Sequence, residues 1–99
     1  MKSITVHDLA ATIAPTVLDV REPDEYATGH ARGAVNLPLS QLGQRLNEVP
    51  ADRPVHIICQ SGGRSSQATE ALADRGYDVI DVTGGTSAWV AADLPVDHA

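Results

Sequence analysis

The chain has 99 residues, room for one compact domain and too few for two. Hydrophobic residues make up 42% and charged residues 20%, a globular balance that excludes disorder; with aromatics at 3% and no Phe, the core has to be aliphatic. A net charge of −6 with no Lys/Arg cluster excludes a nucleic-acid footprint, and no apolar run is long enough to span a membrane.

The first residues turn polar at His7-Asp8 and do not read as a secretory signal. Thr5 followed by Asp8 resembles a capping box and opens a predicted helix over 6–14, ended by Pro15. Residues 16–20 form a short apolar run of the kind a buried parallel strand shows. Pro23 starts a short helix through Tyr26 that stops at Gly29, and 34–37 read as a second short strand closed by Pro38. Leu39, Leu42, Leu46 and Val49 recur at helical spacing before Pro50. The strongest predicted strand is 55–59, β-branched and bounded by Pro54 and a glycine pair. A helix follows over 64–75, with Ala68, Ala71 and Leu72 on one stripe and Gly76 as its stop. Residues 78–82 read as another strand, and Gly84-Gly85 turns into a final helix over 86–92.

Strands alternating with helices argue for one α/β domain over 1–99, a parallel sheet covered on both faces. Ligands of such sheets bind beyond the carboxyl ends of the strands. The segment Cys59-Gln60-Ser61-Gly62-Gly63-Arg64 falls at that kind of position.

A single cysteine excludes an internal disulfide and sets a cytoplasmic location as the expectation. Its thiol has two readings. A lone cysteine in a small domain is commonly a small hydrophobe. Here, however, the order is strand, Cys59, a glycine pair, Arg64 and a helix beginning with Ser65-Ser66. The glycines let the backbone curl so that successive N–H groups point inward, beside the free N–H groups of the helix start. That environment and the Arg64 guanidinium favour the thiolate, which is expected below the free thiol value of about 8.5.

The loop Cys59-Gln60-Ser61-Gly62-Gly63-Arg64-Ser65 resembles the active-site loop of the rhodanese sulfurtransferase family. Asp19-Val20-Arg21-Glu22 with Glu25-Tyr26, the segment from Gly29 to Pro38, and Gly84-Gly85 with Ala88-Trp89 are similar to three further blocks of that family, in the same order. Ala31 departs from the family's usual larger aliphatic residue. The resemblance implies a three-layer domain with a five-stranded parallel sheet flanked by helices. It implies a catalytic Cys59 that takes a sulfane sulfur from a donor such as thiosulfate, forms a persulfide, and passes the sulfur to cyanide or a thiol. Gln60, Ser61, Gly62, Gly63, Arg64 and Ser65 would bind the substrate, with Arg64 drawing in an anionic donor, and Asp19 and Arg21 would support the loop. No cofactor and no metal is expected. Four residues separate Cys59 from Arg64, one fewer than in cysteine-dependent phosphatases, which ranks phosphoryl transfer below sulfur transfer.

Several residues keep two readings. Asp19 either orders the loop or a neighbouring arginine, or accepts backbone N–H groups. Arg21 and Glu22 line the pocket or form ion pairs. His30 sits in a turn, where a structural role outweighs a general base, and Trp89 reads as packing for the last helix. The functional alternatives to turnover are a persulfide carrier that serves a partner protein and a regulatory rhodanese-like binding module.

Overall fold

Apolar runs separated by helical segments give a parallel sheet, because each strand must be reached through a crossover. The computed structural model describes residues 1–98. Its strands are β1 (Lys2–Ile4), β2 (Thr16–Asp19), β3 (His30–Ala31), β4 (Val35–Asn36), β5 (Val55–Ile58), β6 (Val79–Val82) and β7 (Val96–Asp97). Five of them form one sheet in the order β1-β6-β5-β2-β4, with every neighbouring pair parallel. The other two, β3 and β7, pair antiparallel as a separate ribbon.

Helices cover both faces. They are α1 (Val6–Ala10), α2 (Pro23–Ala27), α3 (Leu39–Leu42), α4 (Gly63–Asp74) and α5 (Gly85–Ala91), with a 3-10 turn at Leu46–Glu48. Successive strand residues point to opposite faces, so the core splits in two. Val55, Ile57 and Cys59 pack with Leu18, Ala68 and Leu72 on the α4 side. Ile58 and Val17 pack with Leu9, Val82 and Trp89 on the side of α1 and α5. β5 lies at the centre, buried along its whole length. Its carboxyl end therefore opens onto a loop held by elements from both layers.

Besides the β3–β7 ribbon, which the sequence reading lacks, three elements differ from it. Lys2–Ile4 is a strand, mostly exposed, whose polar pattern gives no apolar run. It is the fifth strand of the sheet, a short lysine-bearing edge. The first helix stops at Ala10 rather than continuing to Ala14. Ala14 precedes Pro15, which disfavours helical backbone there, and it adopts φ 49°. The leucines after Pro38 occupy two short turns rather than one helix, since the first turn ends at Gly43. No helix among the described residues is long and apolar enough to cross a membrane.

Candidate active site

The loop after β5 runs from Cys59 to the start of α4. Gly62 caps α4 with φ 119°, a left-handed conformation that glycine adopts without strain. This turns the Gly62 N–H back onto Cys59 Sγ, which accepts it at 3.1 Å. On the other side, the Cys59 thiol donates to Ser65 Oγ at 3.3 Å, and Ser65 Oγ donates on to the Gly62 carbonyl at 3.1 Å. Ser65 is fully buried, and Cys59 is 1% exposed. The sulfur is thus closed in beneath a rim formed by the exposed residues Gln60, Ser61 and Gly63.

Two opposing effects act on this thiol. Burial pushes its pKa up. The Ser65 hydroxyl and the backbone N–H groups of Ser65, Gly62 and Ser61 outweigh burial and hold it below the ordinary 9.0. Hydrogen bonding to the charged form lowers the pKa here.

The carbonyls of the loop are taken by α5. Cys59 O accepts from Thr86 N at 2.8 Å and Thr86 Oγ1 at 3.0 Å, and Gln60 O accepts from Ser87 N at 2.9 Å. With its carbonyls drawn to α5, the loop is free to aim N–H groups at the sulfur. The approach is close. A Cβ on Gly85 would lie 2.6 Å from Cys59 O and 2.7 Å from Gln60 O, and Gly85 has φ 59°. The Gly84-Gly85 turn is therefore part of the site's scaffold.

The two arginines near the loop are both engaged by carboxylates. Arg21 is 1% exposed and Asp19 0%. Arg21 Nη2 donates to Asp19 Oδ2 at 2.8 Å, and Arg21 Nε lies 3.1 Å from both oxygens. Asp19 Oδ1 also accepts the Arg21 backbone N–H at 3.0 Å, so Asp19 both accepts a backbone N–H and orders an arginine. The remaining Arg21 donors reach Gly29 O at 2.9 Å and Gln60 Oε1 at 3.1 Å. Gln60 passes the chain on, donating from Nε2 to Ser87 Oγ at 2.8 Å. Its side chain thus clamps the loop between β2 and α5. Glu22 does not pair with Arg21; its Oε1 accepts from Ser40 Oγ.

Arg64 does not stand as a free cation. Its guanidinium grips the Glu25 carboxylate of α2 through two bonds, Nη1 to Oε1 at 2.6 Å and Nη2 to Oε2 at 2.8 Å. The Arg64 bonds hold the Glu25 carboxyl down at about 2, against an ordinary 4.5, and Glu25 in turn raises Arg64. Sequence reasoning gives Glu25 no role in the site, because 39 residues separate it from Arg64. Thr86 and Ser87 escape it for the same reason, and only the glycine pair before them signals the close approach.

His30 is buried and stacks on Tyr26 with ring centroids 3.7 Å apart, its Nδ1 3.0 Å from Tyr26 O. This is a structural placement. Trp89 packs into the core on the α5 side and donates from Nε1 to Pro95 O at 2.7 Å. A cleft of about 390 Å3 opens beside the loop, with Arg21, Gln60, Thr86 and Val90 among its walls; Cys59 does not line it.

The family profile described as Rhodanese-like domain matches residues 5–92. The chain belongs to the rhodanese-like domain family. A protein named Sulfurtransferase from Allochromatium vinosum is 40% identical over 89 residues, covering 89% of this chain and 83% of that protein. A Bacillus subtilis protein named Putative sulfur carrier protein YrkF is 39% identical over 74 residues, which is 74% of this chain and 40% of the relative. The crystal structure of a rhodanese-related protein from Thermoplasma volcanium superposes with a TM-score of 0.95 at 37% identity, covering 100% of both chains. The five-stranded parallel sheet flanked by helices is therefore the rhodanese-like fold. Every residue of the cysteine loop, and Glu25 with it, falls within the segment matched as a rhodanese-like domain.

Proposed function

We propose that this rhodanese-like domain is a sulfurtransferase that carries sulfane sulfur on Cys59. The observation that supports the reading best is the closure of Gly62 N–H and the Ser65 hydroxyl on a single buried sulfur, at 3.1 and 3.3 Å. In the first half-reaction the Cys59 thiolate attacks the outer sulfur of a donor such as thiosulfate. A bond forms between Sγ and that sulfur, the donor's sulfur–sulfur bond breaks, and sulfite leaves with the electron pair. In the second, cyanide or a thiolate attacks the outer sulfur of the persulfide and Cys59 leaves as thiolate. One difficult transfer becomes two easier displacements.

Each half-reaction uses the same groups. Ionisation frees the Ser65 hydroxyl to rotate from the Gly62 carbonyl and donate to sulfur. The inward N–H groups stabilise charge on the leaving or arriving sulfur in the manner of an oxyanion hole. A donor reaches Sγ past Gln60, Ser61 and Gly63. The other arrangement the sequence suggests, a persulfide carrier, uses the same sulfur and differs in its acceptor. It draws support from the Bacillus subtilis relative named as a sulfur carrier.

Mass spectrometry after thiosulfate treatment tests the reading. The peptide holding Cys59 should gain one sulfur, cyanide should remove it as thiocyanate, and Cys59→Ala should do neither. Sulfur loading that persists in Cys59→Ala, or its absence in the native chain, would overturn the assignment. Faster discharge to a protein thiol than to cyanide would favour the carrier.

A further inference from the structure

Around Cys59 the charges are matched before any substrate arrives. Arg21 is forked onto Asp19 in the interior, and Arg64 is forked onto Glu25 in a partly exposed pair between α4 and α2. The four groups sense one another: Glu25 feels Arg21 as well as Arg64, and Arg64 feels Asp19 and the Cys59 thiolate. Of the five other Lys and Arg side chains, Lys2, Arg32, Arg45 and Arg53 are also in ion pairs, with Asp78, Asp97, Glu48 and Asp52, while Arg75, in no ion pair among the described residues, lies at the opposite end of α4 from the loop. The chain as a whole carries −6. Ionising Cys59 therefore adds an uncompensated negative charge. A thiosulfate dianion must approach that charge, and Arg64, the loop guanidinium that feels the Cys59 thiolate, is already held by a carboxylate.

Resting on the sulfur-transfer reading above, we infer that Glu25 is a specificity-determining residue: by occupying Arg64 it biases the site against dianionic sulfur donors and toward donors of lower charge. An alkanethiosulfonate monoanion represents the favoured class. It offers the same outer sulfane sulfur with one negative charge rather than two. The chemistry balances in the same way: the Cys59 thiolate bonds to the outer sulfur, the sulfur–sulfur bond breaks, and a sulfinate leaves with the electron pair where thiosulfate releases sulfite. The donors also differ by an alkyl group in place of an oxide oxygen, but that difference is common to every variant, so the change in the rate ratio between variants reads the electrostatics around Arg64.

Glu25→Gln tests this with little structural change. The Gln Oε1 can still accept the Glu22 backbone N–H that Glu25 Oε1 accepts at 3.1 Å, while Arg64 loses its countercharge. The measurement is the ratio of kcat/KM for thiosulfate to kcat/KM for methanethiosulfonate, with Cys59 loading followed by mass. In Glu25→Gln the ratio should rise by about threefold or more, the scale of one partly exposed charge near a reacting anion. The gain should shrink at high salt. It should vanish in Glu25→Gln/Arg64→Gln. Arg64→Gln alone, which leaves the Glu25 carboxylate without its countercharge, should move the ratio the other way, and this variant carries the test if Glu25→Gln does not fold. An unchanged ratio in the single variants, with the native chain loading Cys59 from either donor, would overturn the role of Glu25 and leave sulfur transfer standing. No loading of the native chain from either donor would overturn both.

Discussion

Ser65 has one hydroxyl proton and two places to direct it. With Cys59 protonated the proton goes to the Gly62 carbonyl; with Cys59 ionised it can go to sulfur. That switch makes Ser65 the chief counterweight to burial in setting the thiol pKa. In Ser65→Ala the charged form loses a donor, so the pKa should rise. A hydrogen bond to a charged group contributes about 1.5–3 kcal/mol, so the midpoint of alkylation rate against pH should move up measurably. An unmoved midpoint would show that the backbone alone sets the thiol. Asp19 offers a second test at this scale. Asp19→Ala leaves Arg21 charged and unpaired in the interior, which should cost roughly 3–5 kcal/mol. The thermal midpoint should fall by roughly 15 °C or more in a domain of this size. Cys59 was legible in the sequence because strand, glycines, arginine and helix are contiguous around it. The pairing of Arg64 with Glu25 was not, because a side chain's partner across 39 residues is set by how α2 docks, which no local spacing encodes.

At the scale of elements, the loop depends on α5 as much as on α4. The first N–H groups of α5 hold Cys59 O and Gln60 O, and that grip fixes which way the loop's peptides face. Gly85 permits it. In Gly85→Ala the new Cβ meets two carbonyl oxygens under 3.0 Å in a left-handed backbone position. The backbone strain alone is about 1–2 kcal/mol, and the contact must push the loop off α5. Denaturant unfolding should show a loss of at least that size, and sulfur loading of Cys59 should slow with it. A stable variant with native loading would mean that the loop holds its shape without α5. The strands that carry apolar runs, β2, β5 and β6, were readable, as was α4 with its small-residue stripe and Gly76 stop. β1, β3 and β7 were not. Lys2–Ile4 is held by the backbone ladder to β6 with only Ile4 partly buried against the core, and the two-residue ribbon is too short for any periodicity.

For the molecule as a whole, ion pairs tie distant parts of an acidic chain together, and Arg64–Glu25 binds α2 to the start of α4. The Glu25 carboxyl lies at about 2 in the fold against 4.5 when unpaired. A depressed folded value means that the contribution is complete above 4.5 and is lost as pH falls toward about 2. Glu25→Gln should therefore show a weaker decline in stability across that window than the native chain, measured as denaturant midpoints. Identical declines would mean that solvent screens the pair completely. The central claim, however, concerns one sulfur kept ready for ionisation inside a closed loop. The chain's single cysteine makes it measurable, because the ultraviolet absorbance that appears on titrating the native chain but not Cys59→Ala belongs to Cys59, the two tyrosines contributing equally to both. The account expects a midpoint below the ordinary thiol value of 9.0. A midpoint at or above 9.0 would mean that burial prevails over the hydrogen bonds, and would contradict it.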